Sequence, residues 1–314
     1  MGEVGFQVIT YAKLTLLVIV PFLLASQGTM LAGRTGLFVV AQEGIMLVGA
    51  SVGFLVSYLT GSLVLGALAA LAAGGLFGLA LAYFTTTLKM DQFVIGLALF
   101  FVGMGLSTLL PKLIIGVTLT PPLIPTLRDV PIPFLSQIPI LGKVLFSQNV
   151  LVYTSFLLSA FLYYLLYKTS FGLMLRSVGE NPTAADSLGV NVYRMRYFSA
   201  IAGGALMGLA GAYLPMVYTG TFTDMMVRGR GWISIALTFF GGWAPHTIFL
   251  GSIFFGVIEV LAFRAQVVGI GIPFQFLNML PYVATILIMV LTFGRARVPA
   301  FLGGNYDSEK KTYI

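Results

Sequence analysis

Long apolar runs dominate this sequence, and they are the feature that most limits how the chain can fold. Nine predominantly apolar stretches occupy approximately residues 14–32, 37–59, 63–84, 93–110, 150–167, 198–218, 232–243, 247–263 and 276–293. A helix needs about 20 such residues to cross the hydrocarbon core of a bilayer. Because 58% of the residues are hydrophobic and only 9% are charged, against about 25% charged residues in soluble domains, we predict an integral membrane protein.

The apolar runs indicate helices, because they are continuous and rich in Leu, Ala and Gly, whereas barrel strands alternate apolar and polar residues. We therefore predict an all-α, polytopic membrane helical bundle of about nine spans, formed by a single transmembrane domain over residues 1–314. The seventh stretch is too short to cross a bilayer comfortably, so eight or ten crossings remain possible. The first stretch lacks a basic leader and a small-residue cleavage site, and we expect it to be the first span.

Three polar segments set the predicted topology. A loop over residues 168–196 is placed in the cytoplasm, which puts the N-terminus and a loop over residues 111–148 outside and a tail over residues 294–314 inside. Ten of the seventeen Lys and Arg residues then lie inside, in agreement with the positive-inside rule. The outer loop holds seven of the fourteen prolines, so we expect extended and turn conformations there and an external lid or docking surface. The polar tail is expected to fray.

The predicted cytoplasmic loop contains a very short helix with a full set of end signals. Asn181 is a good N-cap, Pro182 suits the first helical position, and Gly189 can adopt the left-handed conformation that ends a helix. A helix this short is marginal alone and offers too little apolar surface for a core. Its small Ala184 and Ala185 would let another surface approach closely, so we interpret it as a docking element.

Two Gly-Arg signatures stand at matching places in the chain, at residues 32–36 before the second stretch and 228–231 before the seventh. With the fifth span as a linker, spans one to four and six to nine would form two inverted structural repeats. Irregular segments follow the signatures, at residues 42–44 and 241–245. Transporters place substrate sites at such paired broken helices. The alternative is a chance similarity between two short Gly-rich strings.

Candidate contacts for a small polar ligand lie near these breaks. The Glu43 carboxylate, in or near a span, could contact a substrate directly or through water, or could serve an ion pair or a helix N-terminus. Aromatic faces with amide donors suit a planar, polar ligand such as a base or a sugar ring, although tryptophans at span ends also act as interfacial anchors. The candidate substrate path comprises Gln42, Glu43, Trp232, Phe239, Asn278 and Tyr282. Further along, Glu259 and Arg264 are expected to form a structural pair.

Small residues recur at every fourth position in two of the predicted spans. This spacing places them on one face of a helix, where they allow backbones to approach closely. We therefore predict close helix packing along both stripes, which comprise Gly66, Ala70, Gly74, Gly78 and Ala82 in the third span and Ala200, Gly204, Gly208 and Ala212 in the sixth.

Several kinds of chemistry are disfavoured by the sequence. The basic residues are scattered at span ends, which argues against nucleic acid as a partner. The string from Gly49 to Gly53 matches G-x-S-x-G, but the chain has a single histidine, His246, in a distant turn, so a hydrolase is disfavoured. With no cysteine, disulfides and Cys-based metal sites are excluded. There is no P-loop signature, so we expect no bound cofactor or metal, and any ATP would bind to a separate subunit.

Four ordered motifs carry a resemblance to a known family. The string ENPTAADSLGVNV resembles the cytoplasmic coupling loop of ribose-type (type II) ABC importer permeases. Three further stretches, AGRTGLFVVAQEGIMLVGA, GRGWISIALTFFGGWAP and EVLAFRAQVVGIGIPFQFLNMLPY, are similar to the nucleoside and simple-sugar branch, whose receptors are basic-membrane-protein-type lipoproteins. The resemblance runs from about residue 31 to residue 293.

The resemblance implies a permease subunit of the prokaryotic plasma membrane that performs no covalent chemistry. Its implied partners are an ABC ATPase subunit, a second related permease in a homo- or heterodimer, an external substrate-binding lipoprotein and a nucleoside or sugar. The implied coupling helix comprises Glu180, Asn181, Pro182, Ala184, Ala185 and Gly189. Relatives usually have Asn where this chain has Val39, so one polar contact is expected to be lost. The alternatives are an ion-gradient-driven secondary carrier, for which Glu43 is the reasonable coupling residue, and a non-transporting membrane scaffold.

Overall fold

The computed structural model describes residues 3–116, 120–138, 140–268, 273–292, 297–307 and 312–313, and almost all of its regular structure is helical. Two-residue strands form two small antiparallel pairs, β1 (Val130–Pro131) with β2 (Ser147–Gln148) and β3 (Tyr306–Asp307) with β4 (Thr312–Tyr313). The α-helices are α1 (Glu3–Gly33), α2 (Gln42–Thr60), α3 (Leu63–Ala82), α4 (Gln92–Ile114), α5 (Leu141–Leu145), α6 (Val150–Lys168), α7 (Ser170–Glu180), α8 (Pro182–Ser187), α9 (Val192–Tyr213), α10 (Arg230–Phe240), α11 (Pro245–Val268) and α12 (Phe274–Thr292).

Every one of the nine predicted stretches coincides with a helix in the described part of the chain. Seven of these helices are long and apolar enough to cross a membrane, and the apolar part of α12, Gln275–Leu291, is shorter. Helix α10 has only 11 residues, about 16 Å at 1.5 Å per residue. The prediction that the seventh stretch is too short to cross a bilayer is therefore confirmed, and so is the prediction of an all-α polytopic membrane bundle.

Helices α3 and α9 pack backbone to backbone along the predicted small-residue stripes. An added Cβ at Gly74 would lie 2.2 Å from the carbonyl oxygen of Gly204, and one at Gly208 would lie 2.3 Å from that of Ala70. The separation leaves no room for a side chain on either helix at these positions. This seam confirms the packing role predicted for the two stripes and fixes one face of α3 against the largely buried α9.

The helix contacts follow the correspondence between the two predicted repeats. Helix α3 packs on α9 as α11 packs on α1, and α2 packs on α9 as α10 packs on α1. In the same way α2 contacts α4, and α10 contacts α12. Equivalent helices therefore exchange partners between the two halves of the chain, as repeats related by a pseudo-two-fold axis would. The opposite membrane orientation of the halves stays a prediction.

The described part of the proline-rich segment over residues 111–148 contains helix ends and turns. Helix α4 continues through Pro111 to Ile114, and the short α5 and the β1–β2 pair lie further along. Ile124 is buried in a cluster with residues of α2, α3 and α9, and its N–H donates to the carbonyl of Gly220 at 2.8 Å. Extended and turn conformations do dominate residues 120–134, and the segment is packed onto the bundle.

The prediction of a frayed tail is wrong for residues 305–307. Asn305, Tyr306 and Asp307 are 9%, 2% and 3% exposed, respectively. Their polar groups meet partners from other segments: Asp307 forms an ion pair with Lys89 at 2.7 Å, and the Tyr306 hydroxyl donates to Asp186 at 3.2 Å. The polar composition of the tail predicts an exposed end. It does not reveal these partners, because they are distant in the sequence.

Candidate functional site

The N-terminus of the short helix α10 is bound by a carboxylate from α2. Glu43 lies in the first turn of α2 and is 3% exposed. Its Oε1 accepts the backbone N–H of Gly229 and its Oε2 accepts that of Gly231, both at 2.7 Å. A helix N-terminus carries partial positive charge and unpaired N–H groups. Glu43 therefore neutralises the point at which the N-terminal ends of α2 and α10 meet.

The other end of α10 is bound by a cation from the first Gly-Arg signature. Arg34 donates from Nε to the carbonyl of Trp243 at 2.8 Å and from Nη2 to the Tyr167 hydroxyl at 3.1 Å. Burial lowers the pKa of Arg34, while Tyr167 and Glu180 raise it, and an arginine remains a cation at neutral pH. The short helix is thus held by an anion at its first turn and by a cation beyond its last, in accord with its dipole.

The pairing predicted between Glu259 and Arg264 is wrong. Glu259 instead forms a short ion pair with Arg230, and the Arg264 guanidinium lies 5.0 Å from the centre of the Tyr11 ring. Residues five apart on a helix are separated by about 140° around its axis, so they do not face each other. Arg230 comes from the second Gly-Arg signature, and this pair anchors α10 to α11.

A cavity of about 370 Å³ opens between α1, α10, α11 and α12. Its polar lining includes the Arg230–Glu259 pair together with Gln266, Asn278 and Tyr282. The Gln266 amide donates to Asn278 at 2.9 Å, and the Tyr282 hydroxyl donates to the carbonyl of Arg228 at 2.9 Å. Apolar walls come from residues that include Phe22, Ile233 and Phe263. Apolar walls with a few polar groups are typical of small-molecule sites.

The structure separates the six predicted substrate-path residues into different places. Asn278 and Tyr282 both line the cavity. Gln42 is fully buried and accepts a short hydrogen bond from Thr29, and Glu43 is held at the α10 N-terminus. Trp232 is 39% exposed and packs edge-on against Phe100 at 5.5 Å, and Phe239 packs against Trp243 at 5.3 Å.

Arg230 and Glu259 are cavity residues that sequence reasoning did not assign to the substrate path. The available signal was the second Gly-Arg signature, which contains Arg230, combined with a carboxylate inside an apolar stretch. An ionisable residue within a span indicates a functional or structural partner inside the bundle. The pairing itself joins residues 29 positions apart, and no local pattern predicts it.

The predicted coupling helix is present as α8 and has the predicted ends. The Asn181 side chain accepts the N–H of Ala184 at 2.9 Å, Pro182 begins the helix, and Gly189 has φ +84°. Ala184 is exposed, and so is Glu180, the last residue of α7. Leu188, just after the helix, is 85% exposed. Glu180, Ala184 and Leu188 are therefore all accessible to a partner.

The sequence analysis predicts that this helix offers too little apolar surface to form part of a core, and this prediction is wrong. Ala185 is 2% exposed and packs against Val178, Val192 and Tyr306 of the same chain. The helix therefore contributes to a small core, and only its other face is available for docking. Val39 is likewise buried within the main apolar core.

The sequence matches a family model over most of its length. Residues 11–293 match the family described as the permease component of the branched-chain amino acid transport system. This region begins within α1 and extends to the residue after α12, so it includes the cavity, the bound ends of α10 and the α8 helix.

Individual relatives are similar over nearly the whole chain. The chain is 34% identical over 308 residues to the guanosine ABC transporter permease protein NupQ of Bacillus subtilis, covering 95% of this chain and 96% of the relative. It is 36% identical over 308 residues to the nucleoside ABC transporter permease protein NupC of Lactococcus lactis, covering 92% and 94%. It is 32% identical over 254 residues to a putative glucose ABC transporter permease protein of Haloferax volcanii, covering 80% and 76%. No solved structure matches the fold significantly.

Proposed function

The chain belongs to the family of permease components of branched-chain amino acid transport systems, and we propose that its cargo is a nucleoside or a related simple sugar. It is a multi-pass membrane permease of the ABC importer type, and it is a transport subunit rather than an enzyme. The observation that carries the cargo assignment is the similarity, over more than nine-tenths of the chain, to permease proteins for guanosine and for nucleosides. The glucose-type relative supports the simple sugar as the second cargo class.

The proposed assembly contains an ATPase, a second related permease and an external substrate-binding lipoprotein. The exposed face of α8 supports the ATPase contact, because a capped six-residue helix with the exposed Leu188 beside it presents a compact knob. ATP would bind to the ATPase, since the sequence contains no P-loop of its own.

We place the contact with cargo in the cavity between α1, α10, α11 and α12. Its volume of about 370 Å³ falls in the usual range for small-molecule sites, about 300–1,000 Å³. Asn278 and Tyr282 offer an amide and a phenol to the hydroxyl groups of a ribose or the edge of a base. Arg230 and Glu259 are occupied by each other and would fix the shape of the site rather than bind the cargo strongly.

The proposed transport step follows from the position of α10. ATP-driven closure of the ATPases would move α8, rock one repeat against the other and open the path to each side in turn. Helix α10 contacts α1, α2, α11 and α12 and lines the cavity. A movement of α2 would therefore reach the cavity through Glu43 and the N-terminus of α10.

The second candidate function, an ion-gradient-driven carrier, is less well supported. Such a carrier needs an ionisable group that can bind and release its ion during transport. The two Glu43 oxygens are engaged by backbone N–H groups, and Glu259 is engaged by Arg230. Both carboxylates thus have partners that would have to be displaced.

Uptake into proteoliposomes that contain the complete complex tests the proposed function. Labelled guanosine and labelled ribose would be supplied with the loaded receptor outside and ATP inside, and a non-hydrolysable ATP analogue would serve as the control. We expect uptake only with hydrolysable ATP and no loss when a protonophore is added. Uptake that stops with the protonophore while ATP is maintained would favour the carrier and contradict the proposal.

A further inference from the structure

A segment after α12 binds the coupling helix and the first repeat at the same time. We define the carboxyl-terminal strap as residues 297–307. Its last three residues, 305–307, are all buried, although they are Asn, Tyr and Asp. Buried polar residues are costly unless they are hydrogen-bonded. The partners that compensate this cost come from several distant segments, and their positions define what the strap connects.

One set of strap contacts holds the α7–α8 region. The Tyr306 ring packs in a small core with Val178 of α7 and Ala185 of α8, and its hydroxyl donates to Asp186 at 3.2 Å. The N–H of Phe301 donates to the carbonyl of Gly179 at 2.9 Å. The strap therefore touches both the coupling helix and the helix that leads into it.

A second set of contacts holds the turn between α3 and α4. The Asn305 amide donates to the carbonyls of Lys89 and Met90, both at 2.9 Å, and Asp307 pairs with Lys89 at 2.7 Å. Gln92, the first residue of α4, donates to the carbonyl of Gly304 at 3.0 Å. This turn belongs to the first repeat, which is far from α8 in the sequence.

A third set of contacts joins the strap to the first Gly-Arg signature. The N–H of Gly303 donates to the carbonyl of Gly36 at 3.0 Å. Arg196, which is fully buried in α9, donates to the carbonyls of Thr35 at 3.2 Å and Gly304 at 2.8 Å. The same signature contains Arg34, which binds the carbonyl of Trp243 just after α10. The signature therefore connects the strap to α10, the short helix that lines the cavity.

We infer that the strap is a positioning element that fixes the coupling helix to the first repeat, with Tyr306 and Asp307 as its positioning residues. A six-residue helix is marginal alone, so other segments must hold its orientation. Closely packed contacts are poorly compressible, and they therefore transmit a movement from one element to the next. The strap supplies such contacts on the face of α8 opposite the exposed Ala184. The role in coupling rests on the proposed ATPase partner, whereas the positioning of α8 does not.

The first test measures the amount of substrate transported per ATP hydrolysed in the reconstituted complex. Tyr306→Ala removes both the ring and the hydroxyl from the α8 contact, and Tyr164→Ala, at a tyrosine that is 59% exposed on α6, is the control. Because the variant loses about one hydrogen bond to α8, we expect the amount of substrate transported per ATP hydrolysed to fall about fivefold. A smaller quantity of folded complex lowers both rates together and leaves the ratio unchanged. A ratio equal to that of the wild type would overturn the coupling role.

A matched pair of glycine substitutions makes the same small change, one added methyl group, on each side of a strap contact. Gly36 and Gly303 both have left-handed backbones, with φ +86° and +81°, so an alanine is similarly strained at either position. A Cβ at Gly36 would lie 2.8 Å from the carbonyl oxygen of Phe301, whereas a Cβ at Gly303 would meet nothing within 4 Å. We expect Gly36→Ala to lower the ratio more than Gly303→Ala does. Equal effects would contradict the role of the strap.

Hydrogen exchange in the purified permease tests the positioning without any ATPase. The amides of Ala185 and Leu188 bond to carbonyls within or next to α8, and their exchange reports local opening. Tyr306→Ala should speed this exchange about fivefold, and the milder Tyr306→Phe should speed it less. Unchanged exchange at α8 would overturn the inference, whereas ATP-independent uptake by the wild-type complex would overturn only the proposed function.

Discussion

Glu43 and Gly231 lie 188 positions apart in the sequence, yet the Glu43 Oε2 atom accepts the Gly231 backbone N–H at 2.7 Å. The contact leaves no space for a side chain, because a Cβ at Gly231 would lie 2.6 Å from Oε2. Helix α10 has 11 residues and would be marginal alone. Its stability therefore depends on the groups that bind its ends, with Glu43 at the start and Arg34 beyond the finish.

Removing the Glu43 carboxylate should destabilise the permease. Glu43→Ala leaves the N–H groups of Gly229 and Gly231, at the start of α10, without an acceptor, and we expect a loss of about 2–4 kcal/mol. Glu43→Gln keeps one amide oxygen as an acceptor and should cost less, about 1–2 kcal/mol. Thermal unfolding of the purified protein in detergent measures both. If Glu43→Ala unfolds at the wild-type temperature, the carboxylate does not hold α10.

The seam between α3 and α9 should tolerate no added methyl group. Gly74→Ala would place a Cβ 2.2 Å from the Gly204 oxygen, and we expect a loss of about 2–3 kcal/mol or failure to fold, because overpacked backbones cannot separate locally. Gly105→Ala in α4 is the control, since a Cβ there meets nothing within 4 Å. The temperature of thermal unfolding compares the two. Similar temperatures would show that the seam is looser than described.

Neighbouring alanines of α8 should respond differently to a charge. Ala184 is exposed, so Ala184→Glu should leave the permease folded but weaken ATPase retention and uptake by at least about tenfold, through an unpaired charge at the interface. Ala185 is buried against Tyr306, so Ala185→Glu should destabilise α8 itself. Co-purification of the ATPase and uptake at equal expression separate these outcomes. Undiminished uptake by Ala184→Glu would argue against docking at this face.

Two cavity residues should affect the cargo concentration that gives half-maximal uptake. Asn278→Ala and Tyr282→Phe each remove one polar group from the lining, and we expect each to raise that concentration about fivefold, the value of one hydrogen bond. Trp232→Phe serves as the comparison, because Trp232 packs on Phe100 away from the cavity. Uptake would be measured with saturating loaded receptor. An equal effect from the Trp232 variant would remove the cavity from the substrate path.

Features governed by local rules could be predicted from the sequence. The ends of α8 follow from the side-chain acceptor of Asn181, the fixed φ of Pro182 and the left-handed backbone at Gly189, each acting within one helical turn. The seam could be predicted because a four-residue spacing places small residues on one face. The helical stretches themselves depend only on runs of apolar residues.

Features that depend on distant partners could not be predicted in this way. The sequence is compatible with several partners for Glu43, and the backbone N–H groups that it binds at the start of α10 are 186 and 188 positions away. Glu259 has its expected structural role but with Arg230, since helical geometry turns Arg264 away. The polar composition of the tail predicts that Tyr306 is exposed, yet its ring packs with Val178 and Ala185 and its hydroxyl donates to Asp186, 120 positions away.

The glycine seam also limits where the molecule can change shape. At Gly74 and Gly204 carbonyl oxygens pack directly against the opposite backbone, so sliding α3 along α9 would drive atoms into each other. We therefore expect α3 and α9 to keep the same register along their axes during transport. The rocking of one repeat against the other must therefore occur as a rotation about this seam.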